Sequence, residues 1–176
     1  RRQRQMCIRD RYIGTANNDD STFAITDKVY DRAMPINIDT KGVPFEAPLT
    51  DSVYISYKHF EYILNAAKVQ FVVSEENLKK IALLDDYVIE HFRIAFGNRI
   101  VKQLRDFVPA YVGTGGTELD GLDYVLARKV FRKFESLNLS YIRDEIDGLC
   151  AYIDELFGEE NMTESKDYLR MLKKLV

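Results

Sequence analysis

The chain has 176 residues, 46% hydrophobic and 30% charged, enough for one globular domain or parts of two. No apolar run approaches the roughly 20 residues that span a bilayer, and the basic start lacks the apolar stretch of a signal peptide, which sets membrane and secretory classes aside. Two cysteines, Cys7 and Cys150, make neither a disulfide framework nor a metal site, so a reducing, cytoplasmic setting is the default.

Residues 1–11, RRQRQMCIRDR, resemble translated adapter read-through. The competing reading is a basic arm for nucleic acid or lipid. Without them Lys+Arg falls from 25 to 20 and Asp+Glu from 28 to 27, leaving a net charge of −7 for residues 12–176. A body that acidic is a poor phosphate-backbone binder on its own.

Residues 12–40 open with Tyr12-Ile13, read as the end of a buried strand delivering Gly14-Thr15-Ala16-Asn17 into a loop. An acidic stretch, Asn18-Asp19-Asp20-Ser21-Thr22, follows. Next come a short helix over Thr26 to Ala33, carrying Asp31-Arg32, and a second β-type run, Pro35-Ile36-Asn37-Ile38. On local chemistry alone, Asn17 caps a turn and Arg32 is a surface arginine whose charge suits a helix C-terminus. Residues 41–55 hold Lys41-Gly42, Pro44 and Pro48, breakers that predict a linker, with Val53-Tyr54-Ile55 as a short extended piece.

From Ser56 the pattern turns helical, and residues 56–176 read as an all-α bundle of six helices. Ser56 caps the first, with Tyr57, Phe60, Ile63, Leu64 and Ala67 on one face. Ser74-Glu75-Glu76 starts the second, with Leu78, Ile81, Leu84, Val88 and Phe92 inward. The break at Phe96-Gly97-Asn98 precedes a third helix opened by Arg99, with Ile100, Leu104, Phe107 and Tyr111 inward. Gly113-Thr114-Gly115-Gly116 lacks the G-x-x-x-x-G-K-[ST] spacing and follows a helix, so it reads as a connector rather than a phosphate loop. Thr117-Glu118 begins the fourth helix, with Leu119, Leu122, Leu126 and Val130. Asn138 to Ser140 breaks the chain again. Ile142, Ile146, Leu149, Ile153 and Leu156 then form an amphipathic stripe that Gly158 ends. Met162 to Leu175 makes the last helix, with Leu169, Leu172 and Leu175 inward.

Other chemistry-bearing residues carry little at this stage. Arg128, Lys129, Arg132 and Lys133 read as a solvated helix face, with an inter-subunit or DNA-facing surface as the sharper alternative. Asp85-Asp86 and Asp19-Asp20 read as solvated acids. His59 and His91 lack partners at metal spacing, so no metal site is expected, and Cys150 reads as a small buried side chain.

The order of these pieces resembles AAA+ NTPases, most closely the McrB-like branch of restriction systems. The segment from Gly14-Thr15-Ala16-Asn17 to Arg32 is similar to that branch's strand end, short helix and arginine. The later Phe96-Gly97-Asn98-Arg99, Gly115-Gly116, Leu122-Asp123 through Lys129 and Ser165-Lys166-Asp167-Tyr168-Leu169-Arg170-Met171-Leu172 are similar to its helical lid. The resemblance covers nearly all of residues 12–176. It implies a mainly α chain: the end of an α/β core with one or two strands over 12–40, a linker over 41–55, and a helical lid over 56–176. It also implies Asn17 as sensor 1, holding the attacking water, and Arg32 as an arginine finger acting in trans on the transferring phosphoryl group. Arg99 would be sensor 2. The implied ligand is ATP or GTP with Mg2+, bound mainly by Walker motifs upstream of Tyr12. The implied partners are copies of the chain in a ring, a McrC-like nuclease subunit, and DNA or protein as the remodelled polymer. Two departures stand out. No arginine follows Asn17 closely, and the doubled arginine of the finger is reduced to Arg32 after Asp31. The rival expectation is a non-enzymatic helical interaction module.

Overall fold

The computed structural model describes residues 13–16, 26–36, 38 and 41–174. The chain divides into two units, residues 1–33 and 34–176.

In the first unit, Ile13 to Ala16 has no regular secondary structure. A single helical turn, α1 (Asp27–Tyr30), follows Thr26, whose carbonyl accepts from the N–H groups of Val29 and Tyr30. The turn runs on without further helix to Ala33, because the N–H groups of Arg32 and Ala33 both donate to the Val29 carbonyl at 3.0 and 2.8 Å. The short helix expected over Thr26 to Ala33 is therefore one turn plus its closing bend. The described residues contain no strand, and the sheet end expected over 12–40 is not seen among them. Ile13 is 99% exposed, and Ile36 and Ile38 are also open. A strand needs a neighbour for its N–H and C=O groups, and none is present among the described residues. Tyr12 and Asn37 lie outside them.

The second unit is a helical bundle. Residues 41–56 form an irregular, exposed segment. Six helices follow: α2 (Tyr57–Gln70), α3 (Glu75–Phe92), α4 (Gly97–Gly113), α5 (Glu118–Lys129), α6 (Leu139–Phe157) and α7 (Thr163–Lys174). Each expected helix is present with its start within a few residues of the expected one. Three starts are fixed by hydroxyl caps. Ser56 Oγ accepts from His59 N–H, Ser74 Oγ from Asn77 N–H and Thr117 Oγ1 from Asp120 N–H, at 3.2, 3.2 and 3.1 Å, satisfying donors that the first helical turn leaves open.

Helix α5 is the axis. It packs on α4 and α7 and runs into a 3-10 helix, Phe131–Ser136, whose Phe131 and Phe134 are fully buried. A 3-10 helix has three residues per turn, so positions three apart point the same way. Helices α3 and α6 pack together, α6 meets α7, and α2 leans on α4. The stripes Ile81-Leu84-Val88-Phe92, Ile100-Leu104-Val108 and Ile146-Leu149-Ile153 join Leu122, Leu126, Leu169 and Leu172 in one core. Helix α2 is different. None of its residues is fully buried, although Tyr57, Phe60 and Ile63 were expected to face inward. Only its Leu64-Ala67-Phe71 side is partly covered.

Candidate functional site

Of the three residues singled out for phosphate chemistry, Asn17 lies outside the described residues. Arg32 sits in the exposed bend after α1 and belongs to the first unit. Arg99 is exposed in the first turn of α4 and belongs to the second.

The platform under Arg99 is built. Helix α3 ends in Arg93, held in a left-handed conformation with φ 57°. The chain then turns back through Ala95 and Phe96. The Phe96 ring is buried in the core, and its N–H donates to Asp85 Oδ1 at 2.8 Å. Lys133 Nζ, from the 3-10 helix, donates to the Ala95 carbonyl at 3.4 Å. Gly97 follows with φ +74° and open space where a side chain would stand, so the backbone conformation, not crowding, calls for glycine. Asp85 and Lys133 thus fix the loop that starts α4. This corrects the reading of both as merely solvated charges.

That start has no side-chain cap and no acid in its first turn. Helices α3 and α5 have both a hydroxyl cap and first-turn acids, α2 has the cap without an acid, and α6 has neither. The Asp85 carboxylate, bound to the N–H of the N-cap residue Phe96, already sits at this N-terminus of α4 and offsets its partial positive charge, and Arg99 lies in the first turn that follows.

The other pieces that carry the resemblance turn out to be joints. Asp123, 4% exposed, reaches from α5 to the start of α7, where its carboxylate accepts from the N–H groups of Glu164 and Ser165, both at 2.8 Å. The Ser165 hydroxyl returns a hydrogen bond to the Asp123 carbonyl at 3.3 Å. Burial pushes the Asp123 carboxyl up from its ordinary range, against the pull of those hydrogen bonds. Lys166, also buried, pairs with Asp154 of α6 and donates to the Glu159 carbonyl at 2.6 Å. Leu122-Asp123 and Ser165-Lys166 are therefore two halves of one clasp among α5, α6 and α7. Gly115 has φ +101°, and a Cβ on Gly116 would stand 2.2 Å from the Tyr111 ring.

The basic cluster separates in the same way. Lys129 is buried, Arg128 pairs with Glu164 and lies 3.7 Å over the Tyr124 ring, and Arg132 pairs with Glu135. It forms neither an open solvated face nor a continuous basic patch. His91 pairs with Glu145 and stacks on Tyr87, which stacks on Tyr152 in turn. Cys150 is buried as expected. Among the described residues no group of acids, histidines and cysteines has the arrangement of a metal site, and no helix is long and apolar enough to cross a membrane.

Sequence reasoning missed Asp123 and Tyr124 as joint residues. The available signal was an acid inside the apolar run Leu122 to Ala127. No family model, curated protein or solved structure matches the chain.

Proposed function

We propose that this chain is the sensor and lid portion of a ring-forming AAA+ NTPase of the McrB-like branch, coupling NTP hydrolysis to remodelling of DNA or protein. The observation that carries the reading is Arg99. It is exposed in the first turn of α4, on a loop held by Asp85 and Lys133, a placement compatible with a lid arginine. The ordered motifs and the helical bundle around them support it.

In this reading Asn17 holds the attacking water, and Arg32 of one subunit neutralises charge on the γ-phosphoryl group bound by its neighbour. Arg99 meets the same phosphates from the lid. A guanidinium suits both arginine roles because its planar fork pairs two phosphate oxygens at once. ATP or GTP with Mg2+ is held mainly by a phosphate loop encoded upstream of Tyr12. The ring works in the cytoplasm beside a McrC-like nuclease subunit.

The deciding experiment is sequencing of the source DNA across the codon for Tyr12. An in-frame G-x-x-x-x-G-K-[ST] motif upstream, with an acidic strand end after it, supports the NTPase reading. A frame that begins near Met6 removes it. In the intact protein, Arg32→Ala should abolish turnover while nucleotide binding stays nearly intact, since a finger acts on the transition state. Turnover unchanged by that substitution would take Arg32 out of the role.

The second reading, a helical interaction module, draws on a separate observation. Phe45, Leu49, Tyr54, Tyr62 and Val69 all lie exposed in and before α2, apolar side chains of the kind an interaction module would offer a partner.

A further inference from the structure

Tyr124, in the middle of α5, does more than pack. Phe107 of α4 stacks on its ring at 5.3 Å between centroids with the planes 17° apart. The Arg128 guanidinium lies 3.7 Å over the same ring and is itself held by Glu164. A phenol has few torsions, and two ring contacts leave its hydroxyl a narrow range of positions. That hydroxyl donates to the Pro35 carbonyl at 2.9 Å, across 89 residues of sequence. Pro35 has no N–H, so its carbonyl is its only backbone polar group, and its ring fixes φ. Met34 beside it packs against the core. The segment before the linker is thus fastened to the bundle at one stiff residue.

Arg32 lies three residues upstream of that anchor. Three residues of chain reach at most about 11 Å. We propose that Tyr124 is a positioning residue: by holding Pro35 it fixes the point at which the chain leading to Arg32 leaves the helical bundle. The inference rests on the reading of Arg32 as the finger. Tyr124 acts through Pro35.

Tyr124→Phe tests this, because it keeps the ring and its stacking and removes only the hydroxyl. In the 176-residue chain, trypsin cleavage after Arg32 should accelerate about two- to tenfold, the range expected for loss of one hydrogen bond. Cleavage within α3 and the thermal midpoint should stay as they are. In the intact protein kcat should fall by a similar factor with KM unchanged, which a merely structural loss would not produce. Cleavage at Arg32 that does not accelerate overturns the anchor. Faster cleavage with unchanged kcat, in a protein that Arg32→Ala inactivates, overturns the positioning role while the finger stands. If Arg32→Ala also leaves turnover unchanged, the positioning role falls because the finger reading has failed, and the faster cleavage still locates the anchor.

Discussion

At the scale of single residues, Asp123 is the most consequential polar group described. Its carboxylate satisfies two N–H groups at the start of α7, the Ser165 one buried and the Glu164 one partly so. Asp123→Ala should therefore cost about 2–4 kcal/mol, a lost cap plus unsatisfied donors. Asp123→Asn keeps one acceptor oxygen and should cost about half as much. Urea unfolding of the three proteins checks the order. The pH dependence has an unusual sign. Burial raises the folded-state pKa of Asp123 above its ordinary 3.8, so as pH falls the folded protein takes up this proton before the unfolded chain does. Its own contribution to stability is full below 3.8 and is lost as pH rises through the folded value. The stability advantage of wild type over Asp123→Asn should consequently widen as pH falls through that window. A gap that narrows would mean that the hydrogen bonds, not desolvation, set the titration. Gly97 makes a second residue-scale case. Its φ of +74° has no steric neighbour, so Gly97→Ala should cost about 1 kcal/mol through backbone conformation alone, visible as a lowered thermal midpoint.

At the scale of elements, what the sequence made legible was local. Ser56, Ser74 and Thr117 cap helices because a hydroxyl and the N–H it serves lie three residues apart. The core stripes of α3 and α6 repeat at helical spacing and need no tertiary information. Contacts between distant positions were not legible. Glu118, read in the sequence only as part of a helix start, accepts from the Ser74 N–H, the Ser74 hydroxyl and the Asn77 side-chain amide at 2.9, 2.9 and 2.8 Å, tying the start of α5 to the start of α3. Asp85 looks like half of a solvated pair until Phe96 folds back over it. Pro109 lies buried inside α4, where packing outweighs a missing hydrogen bond. The Glu118 joint predicts that Glu118→Ala costs more than the Ser74→Ala cap substitution, roughly 2 against 1 kcal/mol, since it leaves three donors without their acceptor. Equal costs by chemical denaturation would reduce the joint to a simple cap.

At the scale of the whole molecule, burial is uneven in a way that orders the bundle's dynamics. Helix α5 has buried residues along most of its length, and the stripes of α3 and α6 close over the same core. Helix α2 has none, and rests on α4 where Gly113 lets Ala67 and Phe71 approach. Local opening free energy follows buried apolar contact. Native-state hydrogen exchange should therefore find the amides of α5 slowest and limited by global unfolding, with those of α2 exchanging through a cheaper, separate opening. Two substitutions separate the regimes. Leu84→Ala, in the core of α3, should lower global stability by about 2–5 kcal/mol and speed exchange in α5 and α6 together. Tyr62→Lys, on the open side of α2, should change global stability by no more than about 0.5 kcal/mol and leave α5 untouched. If α2 instead exchanges at the rate of α5, the exposed apolar side of α2 is covered in solution by something that binds it as firmly as the core holds itself. The Tyr62→Lys protein would then show faster exchange in α2 alone.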